Sequence, residues 1–115
     1  EWGTDNQANG QVRQYRLEDR QGAIAATQLK TYELSPSGYL DGVVELGGQR
    51  LLVSNWVRTE PAVGILQLLD TRTGYRETVK TLPLGGPADL TLDGNTLWVP
   101  GMLEGKVYKL RFSLR

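Results

Sequence analysis

The chain is 115 residues long, enough for one domain with a modest core, and its 13 Lys and Arg are balanced by 13 Asp and Glu. No net field therefore draws it to nucleic acid or to an anionic membrane, and no window approaches the ~20 apolar residues of a membrane-spanning helix. The sequence has neither His nor Cys, which excludes Ser-His-Asp and Cys-His catalysis, disulfides and zinc sites of the His/Cys kind. Any chemistry must come from carboxylates, amides, Lys, Tyr, Ser or a hard metal bound through oxygen.

Short apolar or alternating runs, broken by turn residues, predict strands over 11–17, 27–34, 42–46, 50–55, 64–70, 77–82, 90–92, 96–100 and 106–112. Turns are expected at 19–22, 35–38, 47–48, 71–74, 85–87 and 93–95, each rich in Gly, Pro, Asn or Asp. The stretch 24–29, short and rich in Ala and Thr, reads as the return of a hairpin, with one helical turn as the alternative. Gly85-Gly86-Pro87 lacks the strand–loop–helix setting and the Lys-Ser/Thr of a phosphate loop, so no nucleotide is assigned to it. Trp98, in the middle of its strand, is expected in the core. Arg13, Arg16, Arg20, Arg58, Arg72 and Arg76 are scattered among acids and read as a solvated outer face.

The chain also repeats itself. Trp2 lies eight residues before Gly10, and Trp56 eight before Gly64; similar strands open at Gly10, Gly64 and Gly105. Leu29-Lys30-Thr31-Tyr32-Glu33-Leu34 aligns with Val79-Lys80-Thr81-Leu82-Pro83-Leu84. Each leads through a Gly/Pro turn to an aspartate, Leu40-Asp41-Gly42 or Ala88-Asp89-Leu90, and then to Leu51-Leu52-Val53 or Leu97-Trp98-Val99. The unit is four strands with a period of about fifty residues, near that of propeller blades, which are four-stranded sheets around a central channel. The expected fold is all-β, a partial β-propeller of about two and a half antiparallel blades. Residues 1–34 would end one blade, 39–84 would form a complete one, and 87–115 a last blade lacking its outer strand. A small open β-meander is the competing architecture. Trp2 and Trp56 would serve blade-to-blade packing.

Asp41-Gly42, Val53-Ser54-Asn55-Trp56, Pro87-Ala88-Asp89-Leu90 and Leu97-Trp98-Val99-Pro100 resemble the last blades of the senescence marker protein-30/gluconolactonase family. The resemblance runs from about Leu29 onward and implies the C-terminal part of a six-bladed ring. It further implies a divalent cation, calcium or similar, in the central channel, and hydrolysis of lactones or phosphotriesters. Asp41 would match the family's aspartate that binds this metal and is also proposed as the catalytic base; Leu40 stands where the family often has Pro. The family's other ligands, a Glu from the first blade and two Asn from middle blades, have no counterpart in this chain. The fragment alone is therefore expected to be inactive and to hold no cofactor. Asn55 and Asp89 are expected to line the channel, Asp89 without binding the metal.

Two other functions stay open. One is a non-catalytic propeller that binds a small molecule or a protein partner, because fold does not fix function. The other, weaker, is a self-contained module that assembles with its own copies. The expected partners are the missing N-terminal blades, or another chain that completes the sheet edges, and a small-molecule ligand; neither nucleic acid nor membrane is expected. Isolated from such partners, the chain should self-associate through its open edges.

Overall fold

The computed structural model describes residues 10–59, 61–82 and 86–113. Trp2 and Gly85 lie outside them. Each of the nine predicted runs forms a strand: β1 (Gln11–Arg20), β2 (Ala23–Glu33), β3 (Tyr39–Gly47), β4 (Arg50–Thr59), β5 (Ala62–Asp70), β6 (Arg76–Leu82), β7 (Thr91–Asp93), β8 (Thr96–Gly101) and β9 (Lys106–Arg111). They build three antiparallel sheets, none closed: the hairpin β1-β2, the central meander β3-β4-β5-β6, and the C-terminal β7-β8-β9. No helix occurs among the described residues, and Ile24 to Leu29 lie within β2.

Most strands run further than their apolar pattern. β1 continues through Asp19 and Arg20 because its turn needs only Gln21 and Gly22. Both have positive φ, 57° and 84°, the two-residue hairpin geometry that matches strand twist. The Asp19 carboxylate accepts a hydrogen bond from the Gly22 amide at 2.9 Å. At the other end of the chain, β7 starts one residue later than expected, at Thr91, while Pro87 bridges Gly101 and Leu90 is buried.

The central sheet is covered on both faces, and β4 shows how. Leu52, Ser54 and Trp56 point toward the C-terminal sheet: Leu52 joins Leu66, Leu82, Leu90, Leu97 and Val99 in the main core. The Ser54 hydroxyl donates to the Ala88 carbonyl at 3.0 Å, and Trp56 Nε1 donates to the Pro87 carbonyl at 2.9 Å. Leu51, Val53 and Asn55 point the other way, where Val53 meets Leu34 and Leu40, with Val12 and Leu51 packed alongside. Period-two alternation thus divides one strand between two interfaces. That is the reason β4 reads as a continuous apolar run.

Trp98 departs from expectation. Its neighbours Leu97 and Val99 are buried against the central sheet, so alternation turns Trp98 to the opposite, outer face, 38% exposed. Lys109 Nζ lies 5.3 Å from its ring centroid, within cation–π range. The six arginines read as a solvated face are all exposed.

Candidate functional site: a carboxylate pair at the sheet junction

Asp41 lies in a β-bulge. Leu40 pairs with Asn55 and Val43 with Val53, so Asp41 and Gly42 together stand opposite Ser54 alone. Such an insertion bends its strand and re-aims a side chain, and bulges recur beside functional sites. Ser54 anchors this one: its wholly buried hydroxyl accepts from the Gly42 amide at 2.7 Å while donating to Ala88. A single side chain ties the bulge of one sheet to the entry of the next.

Gly42 allows the two sheets to meet. A Cβ at this position would fall 2.6 Å from the Leu90 nitrogen, 2.8 Å from the Ala88 oxygen and 2.8 Å from Asp89 Cα. All three are backbone atoms, so no side-chain adjustment could make room. This approach brings Asp41 within electrostatic range of Asp89, its equivalent in the repeat. Burial, and then the charge of Asp89, push the Asp41 carboxyl above its ordinary value of 3.8. The Asp89 carboxylate accepts from the Leu90 amide at 3.0 Å, which fixes its rotamer. Sequence reading selected both aspartates, one per repeat, but gave no sign that their charges interact. The available signal was their shared repeat position: equivalent points on adjacent inner strands converge when the sheets stack.

Asn55 is buried between the sheets. Its amide donates to the Pro36 carbonyl at 3.0 Å and to Gln67 Oε1 at 2.9 Å; Gln67 in turn donates to the Ser35 carbonyl at 3.0 Å. These two amides hold the linker between β2 and β3, and Asn55 Oδ1 has no hydrogen-bond partner among the described residues. A cleft of about 790 Å³ lies nearby, between the hairpin and β6, lined in part by Glu33, Ser35 and Arg76. Neither aspartate lines it. Arg76 spends its guanidinium on the Gly74 and Glu33 carbonyls.

The pair suits a hard cation. Two carboxylates that repel each other are relieved by positive charge, and oxygen donors are what calcium prefers. Asp41 alone meets only a small part of the six to eight oxygens that calcium takes. No third Asp or Glu joins the pair among the described residues.

Asp41 sets an expectation for pH dependence. A carboxyl whose pKa is raised on folding binds protons more readily in the native state, so stability falls as pH rises from 3.8 through the folded value. Above that window the ionised pair is a standing penalty. Asp41→Asn should therefore stabilise the chain at neutral pH, by less than about 1 kcal/mol because the side chain is exposed and screened. Asp70 behaves oppositely. Hydrogen bonds from Arg72 hold it down to about 2, so its contribution is fully present above 3.8 and is lost as pH falls from 3.8 through about 2. Urea midpoints measured from pH 2 to 7 on wild type, Asp41→Asn and Asp70→Asn should separate the two windows. An Asp41→Asn variant less stable than wild type at neutral pH would contradict the Asp41 assignment.

No family model, curated protein or solved structure matches the chain.

Proposed function

We propose that the three sheets are successive blades of a larger β-propeller, that Asp41 belongs to the divalent-cation site of a lactonase-like hydrolase at their inner ends, and that Asp89 lines the channel beside it. The observation that carries this reading is the charge interaction of two repeat-equivalent aspartates across a sheet junction whose backbone contact only glycine permits. The resemblance of the motifs around them to the senescence marker protein-30/gluconolactonase family supports the choice of chemistry. In this reading the chain is the C-terminal portion of a six-bladed ring. Asp41 holds one coordination position and serves as the base, and Asp89 stands beside it without binding the metal. A divalent cation supplies Lewis acidity for opening a lactone when bound. The chain alone is inactive, because most of the oxygens come from other blades.

The test compares two variants in the complete ring. Asp41→Asn should remove the bound metal and cost at least about a hundredfold in lactone turnover. Asp89→Asn should keep the metal and most of the turnover. Metal content and turnover unchanged by Asp41→Asn would leave a non-catalytic binding propeller as the better reading.

A further inference from the structure

The sequence holds two Asp-Gly pairs, Asp41-Gly42 and Asp93-Gly94, and the fold gives them opposite surroundings. Gly42 is buried, with backbone atoms of Ala88, Asp89 and Leu90 filling the space beside its Cα. Its amide donates to the buried Ser54 hydroxyl at 2.7 Å. Gly94 stands in the open. With Asn95 it forms the two-residue turn between β7 and β8; its φ is +57°, and a Cβ there would meet nothing within 4 Å. Asp93, Gly94 and Asn95 are all exposed.

The Asp93 carboxylate is also unoccupied. Two other aspartates at turns are engaged, Asp19 by the Gly22 amide at 2.9 Å and Asp70 by the Arg72 guanidinium at 3.0 Å. Neither the Asp93 carboxylate nor the Gly94 amide has a hydrogen-bond partner among the described residues. The strand that carries Asp93 is weakly held: β7 has three residues, lies at the edge of its sheet and pairs with β8 alone. Short edge elements with few buried contacts belong to the low-stability end of a fold, where the backbone rotates by local opening. The far side of the turn is fixed instead. The Phe112 amide donates to the Asn95 carbonyl at 2.7 Å, and Phe112 packs against the main core.

We propose that Asp93-Gly94 is a site of spontaneous backbone modification, at which the aspartyl bond isomerises to its β-linked form, and that the sheet junction protects Asp41-Gly42 from the same reaction. The Gly94 amide nitrogen gives up its proton and attacks Cγ of the protonated Asp93 carboxyl. The N–Cγ bond forms, the bond from Cγ to the hydroxyl oxygen breaks, and water leaves a succinimide ring. Water then adds to the main-chain carbonyl carbon of that ring, and the bond from this carbon to the Gly94 nitrogen breaks. The chain now runs through Cγ, with a free carboxylate on Cα; opening at the other carbonyl restores the original Asp. Water leaves in one step and returns in the next, so neither oxidant nor reductant is needed. Glycine favours the attack because no Cβ crowds its nitrogen. The product has an extra methylene in its main chain, so Asp93 no longer registers with Thr96 and β7 loosens from β8. This inference is independent of the cation reading.

The full 115-residue chain is aged at neutral pH, folded or in urea, and then digested with trypsin. Cleavage after Lys30, Arg50, Lys80 and Lys106 places the two pairs in separate peptides, 31–50 and 81–106. The β-linked form keeps its mass; it is read as a second chromatographic peak and by the fragments that only a β-linkage gives on electron-transfer dissociation. In the folded chain it should accumulate at Asp93 at least about tenfold faster than at Asp41, because Gly42 reacts only after the junction opens. In urea the two rates should converge. Gly94→Ala should slow the reaction at least about tenfold by placing a methyl group beside the attacking nitrogen; the site is open, so folding should survive. Equal rates at Asp93 and Asp41 in the folded chain would overturn the proposal. A preference for Asp93 that persists undiminished in urea would also overturn it, since the difference would then belong to the local sequence and not to the fold.

Discussion

Gly42→Val is expected to part the central and C-terminal sheets where Gly42 abuts the backbone of Ala88, Asp89 and Leu90. The added Cβ would lie 2.6–2.8 Å from three backbone atoms of Ala88, Asp89 and Leu90, and backbone held by the Ser54 hydroxyl cannot give way. Overpacking against rigid neighbours of this kind should cost about 3 kcal/mol or more. The damage should also be local first. Amide exchange should accelerate in β7 and β8 before it does in β4 and β5, and the raised proton affinity of Asp41 should relax as Asp89 moves away. Urea unfolding and exchange by mass spectrometry would read both effects. Gly22→Asn is the matched control: a Cβ there meets nothing within 4 Å, and Asn tolerates positive φ, so a change below about 1 kcal/mol is expected. A Gly42→Val midpoint equal to that of the control would mean the sheets are not in contact at this position.

Trp56 is the second position of large effect. Its indole is 7% exposed, packs against Gly86 and donates to the Pro87 carbonyl, so it ties the end of β4 to the entry of the next sheet. Trp56→Ala removes both the apolar burial and the hydrogen bond and should cost about 3–5 kcal/mol. Trp56→Phe keeps most of the ring but strands a buried carbonyl, for which about 1–3 kcal/mol is expected. Thermal melts of the two variants would separate packing from hydrogen bonding. If the Phe variant were as damaging as the Ala variant, the carbonyl contact would dominate.

The strands were readable because each carries its own alternation and ends at a residue that favours a turn. Their arrangement into three antiparallel sheets followed from the repeat, whose two copies place Lys-Thr, Asp and Leu-x-Val in the same order. The bulge was not readable. Asp41-Gly42 has the composition of a turn, and only the hydroxyl of Ser54, twelve residues on, makes two residues share one partner. Trp98 was misread for a related reason: its size argued for burial, whereas parity with Leu97 and Val99 argued against it. The repeat held the answer, since Trp98 aligns with Leu52, which turns to the same side of its own sheet and there meets a neighbour. The burial of Asn55 was equally hidden, because its partners Ser35, Pro36 and Gln67 lie in a linker and another strand.

The division of β4 between two interfaces limits how this chain can vary in length. Inserting one residue between Leu51 and Trp56 would exchange every later side chain between the layers, sending the Trp56 indole toward the hairpin and the Asn55 amide into the main core. Both interfaces would fail together, and no repacking on one side could rescue the other. Insertions and deletions that survive should therefore fall in the turns, above all at Gln21-Gly22, where the hairpin tip stands clear of both cores.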